Sequence, residues 1–273
     1  MKFFSLLFLL FWLAGCSGSK LTEPQKEIIL YEVRYGTDPL HTMDVYLPAD
    51  RNEKTPFVIN IHGGAWTTGD KKDDEPLCKF LVTKGIGVAN LNYRLTSPEG
   101  THFPEMLDDV DSAFSFIQKK SEEWKVRNDG YSITGLSSGA HQALMYAYER
   151  NQNIKTIVER AGITDLVDER TLVYIRQNNL KSLMDLVMGM PKNYAKYSPV
   201  LHVKNIPVLI LHGAEDDVVP VEQAHSLADE LKKQKIYHEL IIIPEVGHDL
   251  EENSKSKDMV FQLMADWFLK FGK

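Results

Sequence analysis

The chain has 273 residues, of which 43% are hydrophobic, 10% aromatic and 25% charged. These proportions are typical of a globular protein of one or two domains, and they exclude a collagen-like repeat, a coiled coil and a chain disordered throughout. Lysine and arginine number 31 against 38 aspartates and glutamates, which gives a formal net charge of −7. Because a nucleic-acid-binding surface needs basic residues and no basic run occurs, we expect no nucleic-acid partner.

The cysteines and histidines argue against a metal site. The two cysteines, Cys16 and Cys78, are too few for a disulfide framework or a multi-cysteine zinc site. The nine histidines include no HxH or HxxxH pair. We therefore expect neither a metal nor a cofactor, and any chemistry must come from side chains, backbone groups and water.

The first 25 residues have the pattern of an export signal followed by a tether. Lys2 precedes a twelve-residue apolar run, which is shorter than the roughly 20 residues that a helix needs to cross a bilayer. This anatomy is typical of a secretory signal. The run ends in Leu-Ala-Gly-Cys, which resembles the lipobox of bacterial lipoproteins. We predict a signal peptide over residues 1–15, lipidation of Cys16, a tether over 16–25, and a protein anchored by lipid to a membrane of the bacterial cell envelope, facing the periplasm or the exterior.

From residue 26 onward, strand-like and helix-like segments alternate. Residues 28–35 and 42–47 are alternating strands separated by a Gly-Thr-Asp-Pro turn, which predicts a hairpin. The later apolar runs are short and bounded by turn residues, as in strands that are covered on both faces. We predict one three-layer α/β domain over residues 26–273 with a mostly parallel central sheet. The later strands are predicted at 57–61, 87–91, 131–134, 154–158, 208–211 and 240–243, and the helices at 74–84, 106–119, 138–149, 221–233 and 257–271.

A His-Gly-Gly-Ala-Trp motif at residues 62–66 follows directly after the predicted strand 57–61. Consecutive glycines let backbone N–H groups turn toward a developing negative charge without a side chain in the way. The motif therefore predicts an oxyanion loop that uses the amides of Gly64 and Ala65. A tight turn above a buried tryptophan would explain the glycines but not the position of the loop.

A Gly-Leu-Ser-Ser-Gly motif at residues 135–139 lies between the predicted strand 131–134 and a helix-forming run. A serine on such a sharp turn crowds its neighbours, so the residues two before and two after must be small. The following helix N-terminus directs free N–H groups at the reacting oxygen. We predict that Ser137 is the nucleophile and that the amide of Ser138 joins those of Gly64 and Ala65.

Residues 166–199 interrupt the strand–helix alternation. This stretch is rich in methionine, leucine and tyrosine and has no clear strand boundaries. We predict a small helical cap insertion between two strands. Its apolar side chains could serve core packing or form a lid over a substrate pocket, and the sequence leaves both open.

The order of these motifs resembles that of an α/β-hydrolase-fold esterase. The remaining motifs are Asn-Tyr-Arg-Leu at 92–95, Phe-Pro at 103–104 and Leu-Asp-Asp at 107–109. The set is similar to that of hormone-sensitive-lipase-like esterases and of bacterial feruloyl and acetyl-xylan esterases, over nearly everything after the tether. It departs from the family pattern at Ala65, where glycine is usual, and at residues 138–140, where Ala-Gly-Gly is usual.

The resemblance implies an acid and a base downstream of Ser137. The segment HGAEDDVVP after the predicted strand 208–211 is similar to the family's HGxxDxxVP loop, which gives Asp216 as the acid, with Glu215 and Asp217 as its alternatives. The Gly-His pair after the last predicted strand resembles the position of the base, which gives His248.

These residues predict a serine hydrolase. His248 would remove the proton of Ser137 as it attacks an acyl carbon, and Asp216 would orient the imidazole. The resemblance implies hydrolysis of small acyl esters, including acetyl or feruloyl groups on carbohydrate. An exopeptidase similar to prolyl oligopeptidase and a non-catalytic binding lipoprotein remain as alternatives.

Other polar residues receive a structural interpretation. The acidic run at residues 73–75 is interpreted as a solvated face or a helix start. The remaining expectations are that His62 shapes the oxyanion loop, Arg94 pairs with Asp108 or Asp109, His141 packs in the core and His212 orders the acid loop.

Overall fold

The computed structural model describes residues 25–98, 100–150, 153–189 and 193–273. The predicted signal peptide, the lipidation site Cys16 and all of the predicted tether except Gln25 lie outside these residues. Among the described residues, no helix combines the length and the apolar character that a membrane span requires.

In the part of the chain that the structure describes, the sheet has eight strands: β1 Ile28–Arg34, β2 Thr42–Leu47, β3 Phe57–Ile61, β4 Gly87–Leu91, β5 Tyr131–Leu136, β6 Ile154–Arg160, β7 Val208–Gly213 and β8 His238–Ile243. They lie in the order β1-β2-β4-β3-β5-β6-β7-β8. β2 pairs antiparallel with both β1 and β4, and all other neighbours are parallel. The predicted hairpin and the mostly parallel sheet are therefore confirmed.

Helices cover both faces of the sheet, as the apolar strands require. The helices are α1 Glu75–Thr83, α2 Phe103–Trp124, α3 Ser138–Met145, α4 Glu169–Gln177, α5 Lys181–Val187, α6 Glu222–Lys233 and α7 Ser254–Phe271. Along β3, Phe57, Ile59 and Ile61 belong to one apolar core and Val58 to the other. The first core includes side chains of α2, α3 and α6, and the second includes side chains of α1 and α7.

Several elements extend beyond their predicted bounds, and α2 and β6 show why. α2 begins at Phe103 because Pro104 suits a first helical turn and the side chain of Glu105 accepts a hydrogen bond from the N–H of His102, at 3.0 Å. β6 continues through Glu159 and Arg160, two charged residues that are buried at the end of the strand. Because the prediction relied on apolar residues, it placed the end of β6 before these two charged residues.

The cap helices α4 and α5 lie between β6 and β7. Their buried side chains, Ile175 on α4 and Met184 and Val187 on α5, belong to the same core as α2, α3 and α6. The cap therefore packs through a few side chains onto that core, and its other residues are partly or fully exposed.

The described chain enters the fold at the amino ends of the parallel strands. Ile28 pairs with Leu47, whose neighbour Tyr46 pairs with Val88 near the start of β4. Gln25 therefore lies at the end of the sheet opposite to the carboxyl ends of the parallel strands. The loops that carry the candidate catalytic residues leave from those carboxyl ends.

Candidate active site

Ser137 stands on a strained turn between β5 and α3. Its backbone has φ 55° and ψ −119°, a conformation that non-glycine residues rarely adopt. A Cβ at Gly135 would lie 2.3 Å from the carbonyl carbon of Gly139, and a Cβ at Gly139 would lie 2.2 Å from the oxygen of Ile61. Both positions thus require glycine, and the sharp turn follows from the sequence.

The loop after β3 holds three consecutive residues at positive φ, namely Gly64 at 114°, Ala65 at 50° and Trp66 at 60°. A Cβ on Gly64 would lie 2.2 Å from the carbonyl oxygen of Thr68, so this turn needs glycine. Ala65 reaches the left-handed region despite its Cβ. Within the described residues, the N–H groups of Gly64 and Ala65 donate no hydrogen bond to the protein and are available to an anion.

The loops after β7 and β8 bring Asp216 and His248 together. The Nδ1 atom of His248 lies 2.8 Å from Oδ2 of Asp216. The carboxylate is inaccessible to solvent, whereas the imidazole is 21% exposed. The other acids of this loop, Glu215 and Asp217, are exposed.

Hydrogen bonds hold the carboxylate of Asp216 ionised. Its Oδ1 accepts from the N–H groups of Val218 and Val219, at 2.9 and 2.8 Å. Burial acts to raise the pKa of Asp216, but hydrogen bonds from His212, His248 and the backbone outweigh it and keep the pKa well below its usual range.

His212 is a second histidine on the same carboxylate. Its Nε2 lies 3.1 Å from Oδ2 of Asp216 and 2.8 Å from the carbonyl oxygen of Val219. Because both neighbours are acceptors, Nε2 carries the proton. Burial lowers the pKa of His212, but the hydrogen bond to Asp216 and the charge of Glu159 raise it overall. The expected ordering of the acid loop thus includes a direct contact with the acid.

Glu159 interacts with His212 through its charge. The sequence analysis did not identify this residue. Burial raises its pKa to about 7, against the opposing effects of His212 and the Gly162 amide. Its Oε1 accepts a hydrogen bond from that amide. Among the described residues, Oε2 of Glu159 and Nδ1 of His212 have no hydrogen-bond partner.

A buried ion-pair network corrects the interpretation of the acidic run. Asp73 is exposed and Glu75 begins α1, but Asp74 is buried. Its Oδ1 lies 3.1 Å from Nη2 of Arg160, whose Nη1 lies 3.3 Å from Glu251. The expectation of a solvated face is wrong for Asp74 because its partner lies 86 residues away in the sequence.

Arg94, His141 and His62 make contacts within the protein. Arg94 pairs with Asp109 at 2.5 Å, whereas Asp108 pairs with Arg150. His141 is fully buried, its Nε2 lies 2.7 Å from the carbonyl oxygen of Tyr197, and burial lowers its pKa to about 4. The buried ring of His62 stacks on Tyr93 with centroids 4.4 Å apart. These histidines have structural contacts, in agreement with the sequence analysis.

Two concave surfaces meet at Ser137. One, which we call the cap pocket, has a volume of about 150 Å³, and its lining includes Ser137, Trp66, Ile163, Ile175, Leu183 and Met184. The other, which we call the open cleft, has a volume of about 730 Å³, and its lining includes Ser137, His248, Gly64, Asp249, Glu251 and Lys257.

Solved structures that share this fold include proteins titled esterases. A truncated carbohydrate esterase from gut microbiota superimposes with a TM-score of 0.76, at 21% sequence identity, over 91% of this chain and 98% of its own. Esterase B from Lactobacillus rhamnosis superimposes with a TM-score of 0.75 at 19% identity, over 90% of this chain and 88% of its own. The α/β-hydrolase fold that the sequence analysis predicted is confirmed.

Curated relatives of this chain also carry the names of ester hydrolases. "Probable carboxylic ester hydrolase LipM" of Mycobacterium tuberculosis is 29% identical over 70% of this chain and 49% of its own length. Isoprenylcysteine alpha-carbonyl methylesterase of Arabidopsis thaliana is 25% identical over 76% of this chain and 53% of its own. The chain thus spans about half the length of these relatives. The profile of the BD-FAE family matches residues 43–231, well over half of the chain, and the protein therefore belongs to the BD-FAE family.

Proposed function

We propose that this protein is a carboxylic ester hydrolase that works through an acyl-enzyme on Ser137. The proposal depends on one observation, the arrangement of side chains around Ser137. Ser137 and His248 line the same cleft, and His248 is hydrogen-bonded to the buried carboxylate of Asp216. The esterase names of relatives and structural neighbours support the same reaction.

The proposed mechanism follows from the free atoms of the site. Nδ1 of His248 donates to Asp216, which leaves Nε2 as the base that takes the proton from Ser137. The serine oxygen attacks the ester carbonyl, and the amides of Gly64, Ala65 and Ser138 stabilise the oxyanion. One such donor typically contributes roughly 3–4 kcal/mol. His248 then protonates the departing alcohol, and water releases the acid by the reverse sequence.

For the substrate, we propose an ester whose alcohol is a carbohydrate. Three observations support this class: the polar open cleft, the BD-FAE family and the structural neighbour titled a carbohydrate esterase. Acetyl and feruloyl groups are the acyl groups that the family resemblance suggests, and both belong in any substrate panel.

For the location, we propose that Cys16 is lipidated after removal of residues 1–15 and that residues 16–25 tether the domain to a membrane of the cell envelope. The support is the sequence pattern of the leader. Mass spectrometry of the mature N-terminus tests it, with Cys16→Ser as the control. An unmodified N-terminus upstream of Cys16 would contradict it.

The reaction is tested with purified protein and the Ser137→Ala variant. The panel holds p-nitrophenyl acetate and butyrate, an acetylated xylan, a feruloyl ester and a dipeptide anilide. We expect ester turnover that Ser137→Ala abolishes. Turnover of the anilide alone would indicate a peptidase, and no turnover of any substrate would indicate a binding protein.

A further inference from the structure

We infer that the acyl group of the substrate occupies the cap pocket and that its alcohol occupies the open cleft. The inference rests on the proposed function and assigns each half of the ester to one side of Ser137. This orientation would make the enzyme selective for an ester of a compact apolar acid and a polar alcohol without negative charge.

The position of His248 fixes this orientation. In the proposed reaction the imidazole must pass a proton to the oxygen of the departing alcohol, so the alcohol has to leave on the side of His248. His248 lines the open cleft, whereas the described residues that line the cap pocket do not include it. The acyl carbon is bonded to Ser137, and the remaining direction for its substituent is the cap pocket.

The chemistry of the cap pocket matches an apolar acyl group. Its walls are mostly aliphatic and aromatic side chains, and the amide of its lining residue Gln223 is engaged within the protein. Oε1 of Gln223 accepts from the N–H groups of Thr164 and Asp165, at 2.7 and 2.8 Å. Its Nε2 donates to Thr171, at 2.6 Å. A polar substituent on the acyl group could not pair with the side-chain amide of Gln223 and would lose its hydration.

The size of the pocket limits the acyl group. An apolar cavity of about 150 Å³ is known to accept a benzene molecule, and the cap pocket has about this volume. An acyl group of about six carbon atoms therefore fills it, so an acetyl group fits and the larger, more polar feruloyl group does not. Each methylene that becomes buried can raise kcat/KM by up to about fourfold, and the gain ends when the pocket is full.

The open cleft has the opposite character. Asp73, Asp249 and Glu251 line it together with one lysine, Lys257. Asp73 and Asp249 are exposed, so their carboxylates repel an anionic alcohol, whereas hydroxyl groups can donate to them. The volume of the cleft, about 730 Å³, leaves room for the water that the proposed hydrolysis of the acyl-enzyme needs.

The decisive test uses two isomeric esters, methyl hexanoate and pentyl acetate, which share one formula and have leaving groups of similar basicity. We expect kcat/KM for methyl hexanoate to be at least tenfold higher. Equal values, or a preference for pentyl acetate, would overturn the orientation and leave ester hydrolysis intact. If neither isomer is hydrolysed while another ester of the panel is, the orientation is overturned and ester hydrolysis stands. If no ester of the panel is hydrolysed, the proposed function fails as well.

A second test changes the pocket. Leu183→Trp adds volume inside the cap pocket and should lower the ratio of methyl hexanoate to methyl acetate hydrolysis at least tenfold. Leu183→Ala should instead favour methyl octanoate over methyl hexanoate relative to the wild type. The matched control is Leu201→Trp, because Leu201 is 55% exposed, and it should keep the wild-type ratios. Wild-type ratios in both Leu183 variants would overturn the assignment.

Discussion

The loops at the carboxyl ends of the strands and the cap helices above them are held in different ways. Ser137, Asp216 and His248 stand on loops fixed by backbone strain, close glycine contacts and buried hydrogen bonds. On α4 and α5, by contrast, few side chains are buried, and a side-chain link to the body is the hydroxyl of Tyr174, which lies 2.8 Å from the carbonyl oxygen of Val218. We call the first region the catalytic frame.

The difference indicates that the loops at the strand ends and the cap helices have different roles. The proton transfer and oxyanion stabilisation that we propose need positions accurate to a fraction of an ångström, and the tightly held loops at the sheet ends are suited to supply them. The cap only has to shape an apolar surface, which tolerates change. Substitutions in the frame should therefore act on all substrates alike or on stability, and substitutions in the cap should change their ranking.

The largest effect is expected for Asp216→Asn. The amide cannot hold His248 with Nδ1 protonated, so kcat should fall by about 10³–10⁴-fold. If the two regions have these different roles, the factor is the same for acetate and hexanoate esters. Asp217→Asn, at the exposed neighbour, is the control and should stay within twofold of the wild type. A loss below tenfold for Asp216→Asn would mean that another group serves as the acid.

The next effect concerns stability and compares two arginines. Arg160→Met removes the partner of two partly or fully buried carboxylates, those of Asp74 and Glu251, and should lower the free energy of unfolding by about 3–5 kcal/mol. Arg176→Met in the cap breaks an exposed pair with Glu169 and should cost less than about 1 kcal/mol. Urea denaturation measures both, and equal losses would contradict the comparison.

The smallest effect is a pH dependence from Glu159 and its neighbour His212. Burial raises the pKa of Glu159 from 4.5 to about 7, so between these values the folded protein keeps a proton that the unfolded chain has lost. Its free energy of unfolding therefore falls as the pH rises through this interval. The raised pKa of His212 acts in the same direction, because its stabilisation is present at low pH and is lost as the pH rises.

Glu159→Gln removes the ionisable group and should flatten this dependence. Between pH 5 and 7 the variant should lose less stability than the wild type, by an amount on the order of 1 kcal/mol. Glu169→Gln in the cap is the control, since Glu169 is 79% exposed. Parallel curves for the wild type and Glu159→Gln would show that Glu159 is already ionised at pH 5 in the fold.

Features that depend on neighbours in the chain could be predicted from the sequence. The turn at Ser137 needs small residues two positions away on each side, and the loop at Gly64 needs a positive φ, so both are encoded within five residues. Asp216 and His248 each follow a predicted strand, and parallel strands bring such loops to one edge of the sheet.

Features that depend on distant partners could not be predicted. Nothing near Asp74 indicates that Arg160 will neutralise it, and Glu159 and Arg160 interrupt the apolar pattern at the end of a strand. The side chain of His212 faces Asp216 on account of the loop conformation. The two cap helices could not be predicted individually from the sequence, because their short, half-exposed turns lack a strong apolar period.

The position of Gln25 determines which side of the domain would face the membrane if the protein were anchored through Cys16. Gln25 lies at the amino ends of the parallel strands, and the nine residue steps back to Cys16 can extend over at most about 30 Å. A domain of this size is roughly 45 Å across. If Cys16 carries the lipid that we propose, the loops with Ser137 and His248 face away from the membrane, toward the surrounding medium, where a polymer chain reaches them more readily than a bilayer lipid does.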